Sequence, residues 1–491
     1  MRTRLHQWYT HNAGHIVLGV VMLICLAVSL PRVYATDEVQ YYAWVRSLWF
    51  DHDVNFRNEY QTFAQLNPKS GIDTSLLQPN RIRPLTGLYG NIAPVGSALL
   101  WAPWFVATDY GLRTLHTVGI AQHIPADGYS WPYQRAVCYA SAIYAFLGLL
   151  ICHRLACVWF TAPQSTLATV TIWLATPLVY YMSIQMPFAH ANGFFASSCF
   201  VWLWWKSTQP NATWRIWALL GASGGLLFLV REQLILLCIL PVITVLYQLW
   251  QSGRATLATQ WHTRIAQYAL AALCVTATLT PQFVAYWAVN GTPAPAREVA
   301  SKLNLCSPHA IDTLIDFDPR PEPICNVGVE PVSIPAWSRG ALIWSPILLF
   351  ALIGLAIFVR QHPLIGGAML AALCLQIWIN GAFGTTWHLS GAFGFRRYIE
   401  CTPFFIIGLA SALTQLQHRV SWRVLVVLMA LFVAWNVGLI VNATIFNGET
   451  QLRRGLSWPQ LWQWQFTLPQ RMWERSQDLF DRCKLIKNSC S

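Results

Sequence analysis

The stretch Ile92-Ala93-Pro94-Val95-Gly96-Ser97-Ala98-Leu99-Leu100-Trp101-Ala102-Pro103-Trp104-Phe105-Val106-Ala107 decides how this 491-residue chain is threaded. It is mostly apolar, yet it carries Pro94 and Pro103 and interrupts an otherwise polar region, residues 34–133. If it crosses a bilayer, every later segment is inverted; if it is re-entrant or lies in the interface, the later segments keep the opposite sense. Loop charge arbitrates. Apolar segments run near 16–30, 135–152, 165–181, 188–205, 216–230, 234–250, 265–289, 340–359, 363–380, 399–416 and 422–441. With residues 92–107 not spanning, the short cytoplasmic loops hold Arg154, Lys206, Arg215, Arg254, Arg264, Arg360, Arg419 and Arg423, and the short outer loops only Arg231, Arg396 and Arg397. Eight against three follows the positive-inside bias, and the alternative inverts it. The expectation is an all-α integral membrane protein of about eleven spans, N-terminus in the cytoplasm and C-terminus outside. Its long first outer loop bears amphipathic helices.

Composition agrees. The chain is 55% hydrophobic and only 11% charged, with 26 Trp, against roughly 25% charged residues in soluble domains. The apolar runs, about 15 to 25 residues each, suffice for helices crossing a hydrocarbon core. A closed barrel would need apolar and polar alternation, which is absent. The net charge of +12 is explained by loop Lys and Arg facing anionic lipid, so nucleic acid is not expected as a partner. Arg2 and Arg4 precede the first apolar run with no small-residue cleavage site after it, which reads as an uncleaved span.

The organisation expected is a transmembrane unit over 1–441, with outer loops at 34–133 and 290–339 (the latter Pro-rich), and a basic, Trp-rich interfacial tail over 442–491. The join Arg231-Glu232-Gln233 lacks a Gly or Pro turn signal. Of 13 Cys, nine lie in or beside apolar segments, while Cys306, Cys325, Cys483 and Cys490 fall in the outer regions as two couples. They are compatible with two disulfides of undetermined pairing or with free thiols. No internal repeat, phosphate-binding Gly loop or Cys/His zinc spacing occurs, and no cofactor or metal is expected.

Chemistry concentrates at the outer ends of segments. Thr36-Asp37-Glu38 opens a helix in which Tyr41, Trp44, Val45, Leu48 and Trp49 recur at helical spacing, with Thr36 as its N-cap. Acidic residues in a first helical turn are favoured by the macrodipole alone; at the lip of a membrane cavity, a carboxylate is also a partly desolvated base. Asp51-His52-Asp53 reads as a solvated loop in preference to a metal site. The adjacent Arg396 and Arg397, preceded by Gly391 and Gly394, suit a phosphate, and snorkelling to headgroups is the plain alternative. Arg231 beside Glu232, His190 after Pro187, and His388 are further candidates for the substrate site.

Thr36-Asp37-Glu38 with its aromatic helix, Asn58-Glu59-Tyr60, Gly90-Asn91-Ile92-Ala93-Pro94-Val95-Gly96 leading to Trp101-Ala102-Pro103, and Gly394-Phe395-Arg396-Arg397-Tyr398 together resemble a GT-C glycosyltransferase. The resemblance is to the bacterial family 39-like branch, related to protein O-mannosyltransferases and to the aminoarabinose transferases that modify lipid A. It implies a polyprenyl-phosphate sugar donor, a lipid, glycan or protein acceptor, Asp37 as base with Glu38 as companion, and Arg396 and Arg397 near the lipid phosphate. For the basic residue such enzymes place later in the first outer loop, Lys69, Arg81 and Arg83 compete. The competing function class is a multi-pass lipid or sugar transporter or flippase, for which repeated halves and broken helices around a midplane site are expected. A non-catalytic membrane scaffold is a third.

Overall fold

The computed structural model describes residues 2–251, 254–296, 309–315, 340–383, 391–446 and 456–477, with 299, 303, 305, 386, 387 and 389. His388, the four outer-region cysteines and most of 297–339 lie outside the described residues. In chain order the longer helices are α1 (Arg2–Ala27), α2 (Thr36–Arg46), α3 (Arg57–Leu66), α4 (Gly96–Thr117), α5 (Trp131–Ala156), α6 (Ala162–Leu174), α7 (Ala189–Ser207), α8 (Trp214–Val230), α9 (Ile239–Gln251), α10 (Arg254–Asn290), α11 (Ile347–Gln361), α12 (Pro363–Gly381), α13 (Thr402–Leu416), α14 (Trp422–Ile445) and α15 (Trp458–Phe466). Among the described residues the only β pairing is an isolated bridge between Ile82 and Tyr89. Among the described residues, six helical stretches are long and apolar enough to cross a membrane, and Ala13–Ala27, Trp214–Val230 and Ile347–Gln361 are shorter apolar helices. The chain is a multi-pass helical membrane protein.

Residues 92–95 lead into α4 and residues 96–107 form its first three turns, in a helix outside that apolar set. Its neighbour is α5, and the pairing is antiparallel. Tyr133 donates to Asp109 at 2.6 Å, Trp101 to Ser141 at 2.8 Å, and Tyr144 to the Leu100 carbonyl at 3.0 Å. The deepest of these engages Tyr144, midway along α5, so α4 is registered against the N-terminal half of that helix. Its start is fixed by Gly96, where a Cβ would lie 2.4 Å from the Leu229 carbonyl. Only glycine lets α4 begin against the backbone of α8.

Two segments that read as continuous are broken. The run 165–181 stops at Leu174 and resumes as a short helix, Leu178–Ser183; the run 340–359 divides into Ala341–Trp344 and α11. Each break falls at a proline, Pro177 or Pro346, which lacks the helical N–H and clashes with the preceding turn. The two breaks make room for the loop before Arg396. Phe393 stacks on Tyr180 with centroids 4.1 Å apart. Gly394 sits at φ 61°, and a Cβ there would lie 2.6 Å from Pro177 and 2.7 Å from Trp344.

Elsewhere, α11 and α13 meet backbone to backbone. A Cβ on Gly354 would fall 1.9 Å from the Gly408 carbonyl, and one on Gly408 2.0 Å from that of Ala351. Small residues of this kind let membrane helices gain dispersion contact where no hydrophobic drive operates. The tail helix α15 folds back on α14, with Leu461 buried, Trp462 packed on Trp435 at 4.8 Å, and Gln465 donating to the Trp435 carbonyl at 2.8 Å. Phe466 and Trp473 stay exposed.

Candidate active site

The first turn of α2 separates the two adjacent carboxylates. Ala35, and not Thr36 as expected, is the N-cap. Its methyl cannot accept a hydrogen bond, so Glu38 does the capping from within the helix. One oxygen of Glu38 receives the backbone N–H groups of Tyr34 at 2.7 Å and Ala35 at 3.0 Å. Glu38 is buried, whereas the Asp37 side chain is 44% exposed. The companion assigned to Asp37 therefore points back into its own helix start.

Burial pushes the Glu38 carboxyl up to about 7, against the two N–H bonds and the Arg32 charge that favour ionisation. Desolvation outweighs them. Below the ordinary carboxyl value of 4.5 both folded and unfolded states hold this proton. As pH rises from there to about 7 the unfolded chain releases it first, so stability falls across that window by about 3 kcal/mol. Glu59, pushed up to about 7 by desolvation, acts in the same sense. We expect the melting temperature to decline between pH 4.5 and 7 and to level off above, with a shallower decline in Glu38→Gln. An unchanged slope in that variant would place the pH dependence elsewhere.

Asp37 reaches across to the other end of the chain. Its Oδ2 accepts from Arg396 Nη2 at 3.1 Å. The Arg396 guanidinium lies over the Phe188 ring at 4.8 Å, a contact that fixes its plane. Arg396 opens a 3-10 helix, Arg396–Cys401, at the start of the segment that continues as α13. Arg397 next to it lies over Phe383 at 4.4 Å and donates from Nη2 to Thr386 at 3.1 Å.

The same 3-10 turn carries Glu400, which the sequence reading had not singled out. It is 1% exposed, and its Oε1 accepts from Arg231 Nη1 at 2.6 Å and lies 3.0 Å from His190 Nδ1. Arg231 Nη1 is also 2.7 Å from that Nδ1. Gly193 on α7 leaves the space, since a Cβ there would press on Glu400 at 3.0 Å. A buried Glu at the start of an apolar helix was the available signal; a carboxylate there needs a cation, and Arg231 and His190 lie at matching segment ends.

The join at Arg231 follows from these partners. α8 ends at Val230, Arg231 is extended, and a 3-10 helix runs over Glu232–Cys238. Glu232 bonds to the Tyr286 hydroxyl and Gln233 Nε2 to Asn380 Oδ1 at 3.4 Å. Long-range polar partners, and not local turn residues, break the helix.

The first loop is mounted on the same end of the molecule. Trp44 Nε1 donates to the Ala93 carbonyl at 2.8 Å, Asn91 to that of Gln40 at 2.8 Å, and Val95 N–H to Gln282 at 2.9 Å. These bonds clip the Gly90-to-Gly96 motif between α2 and α10. Asp51-His52-Asp53 closes a π-helical turn, Ser47–Asp51, with His52 at φ 57°; Asp51 pairs with Arg46 and Asp53 accepts from Ser47 at 2.8 Å. Those carboxylates are structural. Lys69 is exposed, Arg81 donates to the Ser75 carbonyl at 3.0 Å, and Arg83 is buried against Gly90. None of the three bonds to Asp37 or Arg396. Among the described residues no three His, Cys, Asp or Glu side chains gather as a metal site. A narrow apolar crevice of about 10 Å³ flanks the 3-10 turn, lined by Pro177, Ser345, Phe395, Tyr398, Ile399 and Phe405 among others.

No family model matches the chain, and no curated protein matches it. Solved structures are similar to it, two of which follow. The crystal structure of ArnT from Cupriavidus metallidurans in the apo state is 14% identical at a TM-score of 0.43, over 93% of this chain and 75% of that one. The archaeal oligosaccharyltransferase AglB from Archaeoglobus fulgidus, in complex with an inhibitory peptide and a dolichol-phosphate, is 14% identical at a TM-score of 0.43, over 92% of this chain. The chain spans 57% of that protein's length. Likeness at this level fixes neither activity nor substrate.

Proposed function

We propose that the chain is a membrane glycosyltransferase that moves a sugar from a polyprenyl-phosphate donor to an acceptor at the extracytoplasmic face. The observation that carries this reading is the half-exposed Asp37 carboxylate 3.1 Å from Arg396, within a cluster that also holds Arg397 and Arg231. A base beside a group of fixed cations is what displacement of a phosphate leaving group requires. The acceptor O–H or N–H gives its proton to Asp37 as its lone pair bonds to the anomeric carbon. The bond from that carbon to the phosphate oxygen breaks with its electrons, and configuration inverts. The charge gathering on the departing lipid phosphate is stabilised by guanidinium groups already in place, in a site of low dielectric.

In this reading both ends of the 34–133 region lie outside, α4 is a segment that does not cross, and the C-terminal tail rests at the outer interface. The reading needs no metal, because a phosphate monoester leaving group faces permanent cations. The test is reconstitution in vesicles with a polyprenyl-monophosphate-linked sugar, a polyprenyl-diphosphate-linked sugar and a nucleotide sugar. Transfer is expected from the first alone. Passage of the lipid-linked sugar across the bilayer without any transfer would favour a transporter and end this proposal.

A further inference from the structure

We infer that the donor phosphate is seated by Arg397 together with Arg231, held in place by Asn380 and Glu400, and that Arg396 serves Asp37 instead. The inference rests on the transferase reading and divides its cation cluster into two units. In a 3-10 helix, with three residues per turn, side chains at i and i+3 eclipse. Arg397 and Glu400 therefore share a face of Arg396–Cys401, and Arg396 stands a third of a turn away, toward Asp37. Arg396 is committed there by its bond to Asp37 and by the Phe188 ring.

Arg397 is not so committed. Nη2 is bonded to Thr386, but Nη1 is buried and has no hydrogen-bond partner among the described residues. A buried cationic N–H without an acceptor is costly and calls for one. Arg231 is fixed through Nη1 alone; Nε and Nη2 have no bond among the described residues. The two guanidinium-bearing segments are joined by Asn380, whose Oδ1 accepts from Gln233 at 3.4 Å and whose Nδ2 donates to the Arg397 carbonyl at 3.4 Å. Two cations on segments tied together through one asparagine, with donors to spare, form an anion seat.

Charge then specifies the anion. Asp37 balances Arg396 and Glu400 balances Arg231, which leaves the single charge of Arg397. That matches the one negative charge of a sugar phosphodiester, and a diphosphate-linked donor would leave the site negative in a low dielectric. The seat is built for a monophosphate-linked lipid.

Two charge-neutral pair deletions separate the units. Binding of a sugar-free polyprenyl monophosphate to the full-length protein in detergent is measured by ligand-induced thermal shift and by calorimetry. Arg231→Gln with Glu400→Gln should weaken it about 10–100-fold, and so should Arg397→Gln alone, a half-buried position that tests the seat without emptying the core. Asp37→Asn with Arg396→Gln should leave binding within about threefold while sugar transfer is lost, because that pair contributes no hydrogen bond to the anion. Equal losses in all three, or a larger loss in the Asp37 and Arg396 pair, would overturn the division. Inorganic phosphate or phosphatidylglycerol competing as well as the polyprenyl phosphate would reduce the seat to a general anion contact and overturn it too. A wild-type protein that neither binds polyprenyl phosphate nor transfers from it would instead refute the transferase reading itself.

Discussion

Asp37→Asn is expected to lower sugar transfer by about 10²–10⁴-fold, the range that a positioned general base contributes, with the protein folded and inserted as before. The asparagine keeps the shape and the acceptor oxygen facing Arg396, but it cannot take a proton from an incoming hydroxyl or amine. Stability should barely move. The Asp37 side chain is 44% exposed, its one ion pair is with Arg396 at 3.1 Å, and an exposed pair of that kind contributes roughly 0–1 kcal/mol. Glu38→Gln is the control in the adjacent position, with the opposite signature. Its oxygens serve the Tyr34 and Ala35 N–H groups, so it should alter melting and its pH slope far more than turnover. Turnover assays and melting curves on the two variants are read together. Transfer that survives Asp37→Asn, or that falls equally in both variants, would remove Asp37 from the role of base.

How far such a site can be read from sequence depends on the kind of force that fixes each part. The apolar segments were legible because lipid demands long runs of one composition, and each falls mainly on helical structure, although 165–181 and 340–359 are interrupted and 234–250 and 399–416 open with 3-10 turns. The chain breaks at Pro177 and Pro346 were legible in principle from the prolines; that they cradle Phe393 and Gly394 was not, since the partner lies some 50 to 215 residues away in sequence. Asp37 and the Arg396-Arg397 pair stood out because the expected outer ends of the segments carry few charges. Glu400 did not. One acidic residue inside Arg397-Tyr398-Ile399-Glu400-Cys401 looks incidental until the fold brings Arg231 and His190 to it. The two guanidinium groups of Arg396 and Arg397 read as one clamp in sequence, and only the 3-10 turn, which local pattern does not announce, points them to different partners.

Arg46→Ala should be the most destabilising single change in the first loop, by about 3–5 kcal/mol, because it leaves a buried carboxylate without its cation. Arg46 is 10% exposed in its side chain, pairs with Glu59 at 3.0 Å and with Asp51, donates to the Asp127 carbonyl at 3.4 Å, and lies over the Tyr129 ring at 4.3 Å. Asp51 can turn to solvent when the guanidinium is gone. Glu59 cannot, since its side chain is wholly buried; it must stay charged at great cost or take up a proton. Its carboxyl already stands at about 7 with Arg46 in place, and without that cation it rises further. The penalty should therefore be large at pH 8 and shrink toward pH 5.5, where the proton is available, so the variant loses stability with rising pH in the same sense as the wild type and more steeply. Replacing both members, Arg46→Met with Glu59→Leu, removes the unpaired charge along with the pair and should recover most of the loss, as apolar substitutes for buried ion pairs do. Melting curves at the two pH values, with limited proteolysis between residues 46 and 130, measure it. If Arg46→Ala and the double variant melt alike at pH 8, the pair is not what mounts the first loop, and with it Asp37, on the helical bundle.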